Sequence, residues 1–261
     1  IGASGDFESF SEAVDSLVAL GIRGDVTFEV ESGTYNEQLT LPEIAGASET
    51  SRIVFRSSAG DSTAVVLTFG AVLEQENYTL KLDGTDYISF ENMTFRSTGT
   101  TYARVLEIAG GTKYNSFLIN RIEGVEQQSE LVYKDATTFS RDSIIRFSNN
   151  HFLHGSHALD WSSSYELTLS GNIFTQQSDH AVLMELGYIP SVTGNLFYSE
   201  HAMTAITLNQ FMVYYTIEKN RVYLKNGGKG VVTNGRGLAD TDTSTLINNY
   251  IYLNTEHADA A

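Results

Sequence analysis

The sequence of 261 residues contains no cysteine, which excludes disulfide bonds and thiolate chemistry from its fold and function. It has only 2 prolines, and no apolar run approaches the roughly 20 residues that a transmembrane helix requires. Glycine is abundant, with 22 residues, as are tyrosine and phenylalanine, with 14 each. This composition is typical of a β-rich protein that does not insert into a membrane.

Basic residues are also scarce. The chain has 16 lysines and arginines against 32 acidic residues, for a net charge of −16 and a pI near 4.6. Such a surface repels phosphate backbones, so the composition excludes nucleic-acid binding. Cations and neutral ligands are easier partners, although a net charge of this size also serves solubility alone.

A repeat runs through most of the chain, and one position in each copy is marked by asparagine. These corner positions are Asn120, Asn150, Asn172, Asn195, Asn220 and Asn249, with Met93 in the first copy. An apolar residue stands three positions before each corner and another stands two positions after it. Asparagine suits a tight corner because it tolerates left-handed backbone and hydrogen-bonds to neighbouring backbone groups. A fixed corner with variable spacing predicts stacked coils with insertions on one side.

The first 24 residues differ from the repeat and predict a short amphipathic helix. The apolar residues placed on its buried face are Phe7, Phe10, Val14, Leu17 and Val18. Ser9 and Glu12 form a capping box, and Gly21 supplies the stop. Such a helix would cover the open end of a stack of coils.

Three features together resemble a known family: Gly5-Asp6-Phe7 with Phe10, the segment Gly33-Thr34-Tyr35-Asn36-Glu37, and the Asn-cornered coils. They resemble the right-handed parallel β-helix proteins of the pectate-lyase-like superfamily, and most of all the β-helix modules of large secreted bacterial surface proteins. The resemblance implies an all-β, single-stranded parallel β-helix with an N-terminal capping helix. We expect one domain over 1–261, with the cap and lead-in in 1–24 and coils in 25–261. Because the last coil has no cap, we expect a piece of a longer chain.

The enzymes of this superfamily leave only partial traces in the sequence. Gly33-x-Tyr35-x-Glu37 is similar to the start of pectin methylesterases, but their other catalytic motifs are missing. The polygalacturonase motifs are missing too, since His154-Gly155-Ser156-His157 does not match them. Calcium-dependent pectate lyases cluster acidic ligands beside a basic residue. Asp160 and Glu185 are placed outward on neighbouring strands, without an evident basic neighbour.

A small-or-acidic residue, a histidine and an alanine recur at the starts of predicted strands. The copies are Ser156-His157-Ala158, Asp179-His180-Ala181, Glu200-His201-Ala202 and Glu256-His257-Ala258, with Lys229-Gly230 at the intervening coil. Equivalent positions in parallel coils stack about 4.8 Å apart, so the histidines are predicted to form one row. The row is interpreted first as a structural ladder, since a linear stack does not wrap donors around a point. The alternatives are a metal site and a general base with Tyr165, Tyr188 or Tyr198 as the acid.

The sequence therefore favours a non-catalytic extracellular module, a rigid stalk or an adhesive, carbohydrate-contacting surface. The alternative is a polysaccharide lyase or glycoside hydrolase that uses His157, His180 and Asp160. Candidate ligand-binding residues are His157, Asp179, His180, Glu200, His201, Glu185 and Trp161. No cofactor and no metal ligand is assigned. The expected partners are a polysaccharide or cell-surface glycan and further domains of the same precursor, and the expected location is extracellular or at the bacterial cell surface.

Overall fold

A computed structural model describes residues 1–134, 144–163, 165–210, 214–234 and 244–254. These residues form a right-handed parallel β-helix, which confirms the fold class predicted from the corner repeat. Within this part of the chain, the helices are too short or too polar to cross a membrane.

Two helices and 24 strands follow one another in the described part of the chain. The helices are α1 (Phe10–Leu20) and the 3₁₀ helix η1 (Glu74–Glu76). The strands are β1 (Val26–Val30), β2 (Gly33–Asn36), β3 (Leu39–Pro42), β4 (Ile53–Ser57), β5 (Val65–Phe69), β6 (Leu80–Asp83), β7 (Ile88–Glu91), β8 (Thr94–Ser97), β9 (Leu106–Ala109), β10 (Ser116–Leu118), β11 (Arg121–Lys134), β12 (Ile145–Ser148), β13 (His151–Ser162), β14 (Leu167–Ser170), β15 (Ile173–Thr175), β16 (His180–Glu185), β17 (Ser191–Thr193), β18 (Leu196–Ser199), β19 (Met203–Asn209), β20 (Thr216–Glu218), β21 (Arg221–Leu224), β22 (Gly228–Asn234), β23 (Thr245–Ile247) and β24 (Tyr250–Leu253).

The strands stack into three parallel faces. The first face has the order β1-β4-β7-β10-β12-β14-β17-β20-β23, and the second has β2-β5-β8-β11-β13-β15-β18-β21-β24. The third face runs β3-β6-β9-β11-β13-β16-β19-β22. The long strands β11 and β13 pass from the second face to the third without a break. Each coil therefore adds one rung to each face, in the register that the repeat predicts.

The core is a set of aromatic stacks that follow the solenoid axis. Phe90, Phe117 and Phe147 stack on the first face with ring centroids 4.8 to 5.4 Å apart. Phe152 and Phe174 begin a similar stack on the second face, with centroids 4.7 Å apart. All of these side chains are fully buried. The predicted apolar positions on either side of the corners from Met93 to Asn220 are thus confirmed as core positions. At the last described corner, Asn249, they are not, because Leu246 is 51% exposed and Ile251 is 44% exposed.

The corners themselves are built differently from the sequence prediction. The corner asparagines do not carry the left-handed backbone. The residue before each of them does, with φ between 54° and 68°: Asn92, Ile119, Asn149, Gly171, Gly194, Lys219 and Asn248. The preference of asparagine for left-handed backbone therefore does not explain the repeat.

The corner asparagines are instead selected by the hydrogen bonds of their buried amides. The Asn150 Nδ2 donates to the carbonyl of Phe117, one coil earlier, at 2.9 Å. The Oδ1 of each corner amide accepts from the backbone N–H of the preceding corner at 2.8 to 3.0 Å. Both ends of the amide thus satisfy backbone groups that the turn leaves unpaired, a requirement for buried polar atoms.

Helix α1 closes the first coil as predicted, with two corrections. The helix begins at Phe10, so the predicted place of Phe7 on its face is wrong. The Ser9 hydroxyl accepts from the Glu12 N–H at 3.1 Å, and Gly21 ends the helix with φ 63°. Phe10 and Leu17 are buried with Ala13 and Val14. Val18 is 49% exposed, so its predicted place on the buried face is wrong. The apolar stripe is narrower than predicted, and Val18 lies beyond its edge.

Candidate functional site

The most concentrated group of metal-ligating side chains lies on the third face, where β13 and β16 are neighbours. Backbone pairing sets His157 opposite His180 and Asp160 opposite Leu183. Alternating residues of β16 point inward, so Val182 and Met184 are buried while His180 stays on the outer surface. The fold thus holds two imidazoles on adjacent rungs.

The two imidazoles are stacked, and a carboxylate bridges them. The rings of His157 and His180 have centroids 5.2 Å apart and planes within 7° of each other. Asp179, in the turn before β16, places Oδ2 3.6 Å from His157 Nε2 and Oδ1 3.1 Å from His180 Nδ1. One ligand atom from each residue lies within 4.8 Å of the other two. The donors therefore converge, contrary to the expectation from a purely linear row, because the turn residue reaches across both coils.

The backbone fixes this turn. The Asp179 N–H donates to the Ser156 carbonyl at 3.0 Å, and the Asp179 carbonyl accepts from the Thr204 N–H at 2.8 Å. The Ser156 hydroxyl lies 3.0 Å from His157 Nδ1. The ring of His157 is therefore held on one side by Ser156, and its Nε2 faces Asp179 on the other.

Burial keeps both imidazoles in the neutral form. It lowers the pKa of His157, against the opposing charges of Asp179 and Glu130. It also lowers the pKa of His180, which Asp179 partly opposes. The His180 Nδ1 is buried and, for all its proximity to Asp179, makes no aligned hydrogen bond within the described residues. A neutral imidazole with an unused nitrogen is the form that binds a metal ion.

Within the described residues, the predicted row of histidines has two members, His157 and His180. The residue opposite His180 on the next strand is Thr204, and Lys229 lies opposite Thr204. His201 comes three residues too early, in the bend before β19, where its N–H donates to the Ser199 hydroxyl. Its predicted place in the row is wrong because the connection before β19 is longer than the histidine spacing suggests. The fourth histidine, His257, lies outside the described residues.

A second polar group lies beside the imidazoles on the third face. Asp160 is opposite Tyr133 on β11, and burial together with Glu130 and Glu185 raises its pKa to about 6. Arg104 and His180 oppose that shift. The Arg104 Nε donates to Glu130 Oε2 at 2.9 Å, and the guanidinium lies 3.5 Å from the centre of the Tyr133 ring.

The sequence did not identify Arg104, Glu130, Tyr133 or Ser156 as members of this surface. Arg104 supplies the basic neighbour that Asp160 lacked in the sequence, because it belongs to an earlier coil. Only the register of β9, β11 and β13 brings it close. An alignment of the outward-facing positions of successive coils would have identified these residues, whereas an alignment of the histidine motifs does not.

The remaining predicted site residues lie apart from the imidazoles. Glu185 is opposite Ser162, two positions along from Asp160, and accepts from Asn209 at 3.2 Å. Glu200 is exposed and pairs with Lys225 at 2.7 Å. Trp161 is 2% exposed, so its predicted role in ligand contact is wrong, because its ring packs against Phe147 in the core.

The tyrosines proposed as acids are also elsewhere. Tyr165 and Tyr188 stack on each other at 5.6 Å, before the first-face strands β14 and β17. Tyr198 lies beside Glu200 and donates to its carboxylate at 3.1 Å. In the strand register, Tyr133 lies opposite Asp160, and Glu130 lies opposite His157.

The sequence and the fold were then compared with known proteins. A family model described as periplasmic copper-binding protein (NosD) matches residues 111–261, a region that contains His157, Asp179 and His180. No curated protein matches the chain.

Several solved structures share the fold. Pectin methylesterase from Aspergillus niger superimposes with a TM-score of 0.60 at 15% identity, covering 97% of this chain and 83% of the enzyme. The carrot enzyme gives 0.59 at 12%, covering 96% and 86%, and the Yersinia enterocolitica enzyme gives 0.54 at 12%, covering 92% and 94%. At these identities the similarity shows a shared parallel β-helix.

Proposed function

The chain belongs to the family described as periplasmic copper-binding protein (NosD), and from this premise we propose that it is a non-catalytic module that binds copper(II) on its third face. The ligands are His157, Asp179 and His180. The observation that carries the proposal is the convergence of two imidazole nitrogens and a carboxylate within 4.8 Å.

The chemistry of these donors fits the cupric ion. Imidazole nitrogen and carboxylate oxygen suit Cu(II), whereas Cu(I) prefers thiolate and thioether sulfur. The chain has no cysteine, and Met93, Met184 and Met203 are buried in the core. The buried, unpaired Nδ1 of His180 is an atom that a metal ion would satisfy.

The wider role is also a proposal. The family description as periplasmic supports a place outside the cytoplasm, and we propose the cell surface. We further propose that residues 1–261 act as one rigid module of a longer exported protein and contact glycan. The continuous stacking of all three faces supports rigidity, because each coil is bonded to both neighbours.

Copper titration of the chelator-treated protein tests the proposal. We expect one Cu(II) per chain by calorimetry against a competing chelator, with weaker binding of zinc, as the Irving–Williams order requires. His180→Gln and Asp179→Asn should each weaken binding by at least about tenfold. His201→Gln is the matched control and should bind as the native chain does. Absence of stoichiometric binding, or an equal loss in His201→Gln, would overturn the proposal.

Asp160 favours a second candidate function, the polysaccharide lyase or glycoside hydrolase of the sequence analysis. A carboxyl group whose pKa is about 6 can serve as a general acid near neutral pH, and Tyr133 and Glu130 lie beside it. A screen of uronic-acid and neutral polysaccharides would detect unsaturated products by ultraviolet absorbance and new reducing ends. Turnover that is lost in Asp160→Asn would establish this function over the non-catalytic one.

A further inference from the structure

We propose that Ser156 is the positioning residue of the copper site, which fixes the ring orientation of His157 so that Nε2 faces the metal. This inference rests on the proposed function. The Ser156 hydroxyl lies 3.0 Å from Nδ1, and Nε2 lies 3.6 Å from Asp179 Oδ2 on the other side of the ring. A flip of the ring would exchange both contacts for carbon.

The Ser156 hydroxyl can hydrogen-bond to His157 in both the metal-free and the copper-bound state of the site. For Nε2 to bind copper, its lone pair must be free, so the ring proton must reside on Nδ1. The Ser156 oxygen then accepts that proton's hydrogen bond, because a hydroxyl can accept as well as donate. Metal-bound histidines are generally fixed through their second nitrogen in this way.

The two imidazoles present different ring nitrogens to Asp179. His180 faces Asp179 with Nδ1, whereas His157 faces it with Nε2. The site therefore combines one ligand atom of each kind. A site with one Nδ1 ligand and one Nε2 ligand requires that each ring keep its own orientation. Of the two rings, and within the described residues, only that of His157 has a hydroxyl neighbour that holds its orientation.

Ser156 also connects two ligands across the coils. Its carbonyl accepts from the Asp179 N–H at 3.0 Å, while its side chain contacts His157. Substitution by alanine keeps the backbone bond to Asp179 and removes the hydroxyl alone. The Ser156→Ala variant therefore separates positioning of the imidazole from folding of the turn.

Nitrogen-15 NMR of the metal-free protein and Cu(II) competition titrations test the inference together. In the metal-free protein the Asp179 carboxylate faces Nε2, so we expect the proton of native His157 on Nε2 and the Ser156 hydroxyl donating to Nδ1. In Ser156→Ala we expect a second orientation of the ring, seen as additional imidazole nitrogen resonances, and copper binding about 10 to 100 times weaker. Ser156→Thr keeps the hydroxyl and should retain both properties. Ser148→Ala, which removes a hydroxyl bonded to Ser170 on the first face, is the matched control.

The outcomes separate the two proposals. An unchanged ring orientation and copper affinity in Ser156→Ala would overturn the role of Ser156 and leave the copper site standing. If the native chain binds no copper, the proposed function fails, and the nitrogen-15 spectra still decide whether Ser156 orients His157. A second ring orientation in Ser156→Thr as well as in Ser156→Ala would also count against the hydroxyl.

Discussion

The amide oxygen of Asn172 accepts a hydrogen bond from the backbone N–H of Asn150, one coil earlier, at 2.8 Å. The same amide donates through Nδ2 to the carbonyl of Phe147 at 2.9 Å. Asn172 is fully buried, so neither backbone group has access to water. One side chain therefore satisfies two buried groups of the preceding coil.

Replacing Asn172 by alanine should destabilise the protein by roughly 2 to 6 kcal/mol. The substitution leaves a buried N–H and a buried C=O without partners, and each unsatisfied group costs about 1 to 3 kcal/mol. Urea unfolding followed by circular dichroism measures the change. Asn249→Ala is the control, because its amide bonds at the last described coil are only partly buried and should cost less. An equal loss at both positions would contradict the argument from burial.

The left-handed residues before the corners predict two substitutions with opposite effects on the free energy of unfolding. Ile119 adopts φ 57°, where a β-branched residue is strained, and Asn149 adopts φ 55° at the equivalent place. Ile119→Asn should raise the free energy of unfolding by about 1 kcal/mol, because left-handed backbone costs most residues about 1 to 2 kcal/mol. Asn149→Ile should lower it by a similar amount. Thermal and urea unfolding of both variants check the signs, and a stabilised Asn149→Ile would refute the assignment.

Asp160 predicts how stability depends on pH. Its pKa is about 6 in the fold and 3.8 in the unfolded chain, so the folded protein binds more protons between these values. Stability therefore falls as pH rises from about 4 to about 6, by up to about 3 kcal/mol from this group. Asp160→Asn should remove that fall and be more stable than the native chain at pH 7. The measurement is the difference in unfolding free energy between the two proteins at pH 4 and pH 7.

A parallel pH dependence would contradict this prediction. If the unfolding free energies of the native chain and Asp160→Asn change in parallel from pH 4 to pH 7, the pKa of Asp160 is not raised in the fold. Glu218→Gln on the first face serves as a control for removing one negative charge. It should leave the shape of the pH curve unchanged.

Copper should stabilise the folded chain increasingly as its concentration rises, in a logarithmic dependence. A ligand that binds only the folded state at 100 times its dissociation constant adds about 2.7 kcal/mol to the free energy of unfolding. His180→Gln should show little of this gain, and His201→Gln should show all of it. Scanning fluorimetry with increasing Cu(II), and with chelator added back, measures the effect. A gain that survives in His180→Gln would place the metal elsewhere.

The sequence predicted the fold well because the corner repeat reports backbone pairing directly. Asn120 to Asn249 recur where coils turn, and the apolar residues beside them line the core. Of the two physical reasons assigned to them, hydrogen bonding to backbone groups is confirmed, and left-handed backbone is wrong, since the left-handed residue is the preceding one. Ile119 and Lys219 hold that conformation without being residues that favour it. No propensity rule would select them, because the conformation is imposed by the buried amide that follows.

The site was predicted only in part, because it depends on register and not on motif spacing. His157, Asp179 and His180 were named from the sequence, and the structure brings them together. His201 was named by the same motif and lies out of register. Arg104 was missed, because it reaches Glu130 from a coil 26 residues earlier. The spacing of the histidines does not reveal that the connection before β19 is longer. This connection places Thr204, and not His201, opposite His180.

The corner amides also make each coil a unit that genetic recombination can add or remove. A duplication or deletion that begins and ends at a corner, for example between Asn172 and Asn195, would join one amide to the next without breaking the chain of bonds. The solenoid could thus gain or lose length by simple recombination while remaining folded. The proposed copper ligands span two successive coils, so one such event between Asn150 and Asn172 would separate or remove them. The scaffold can tolerate changes in length that its binding site cannot.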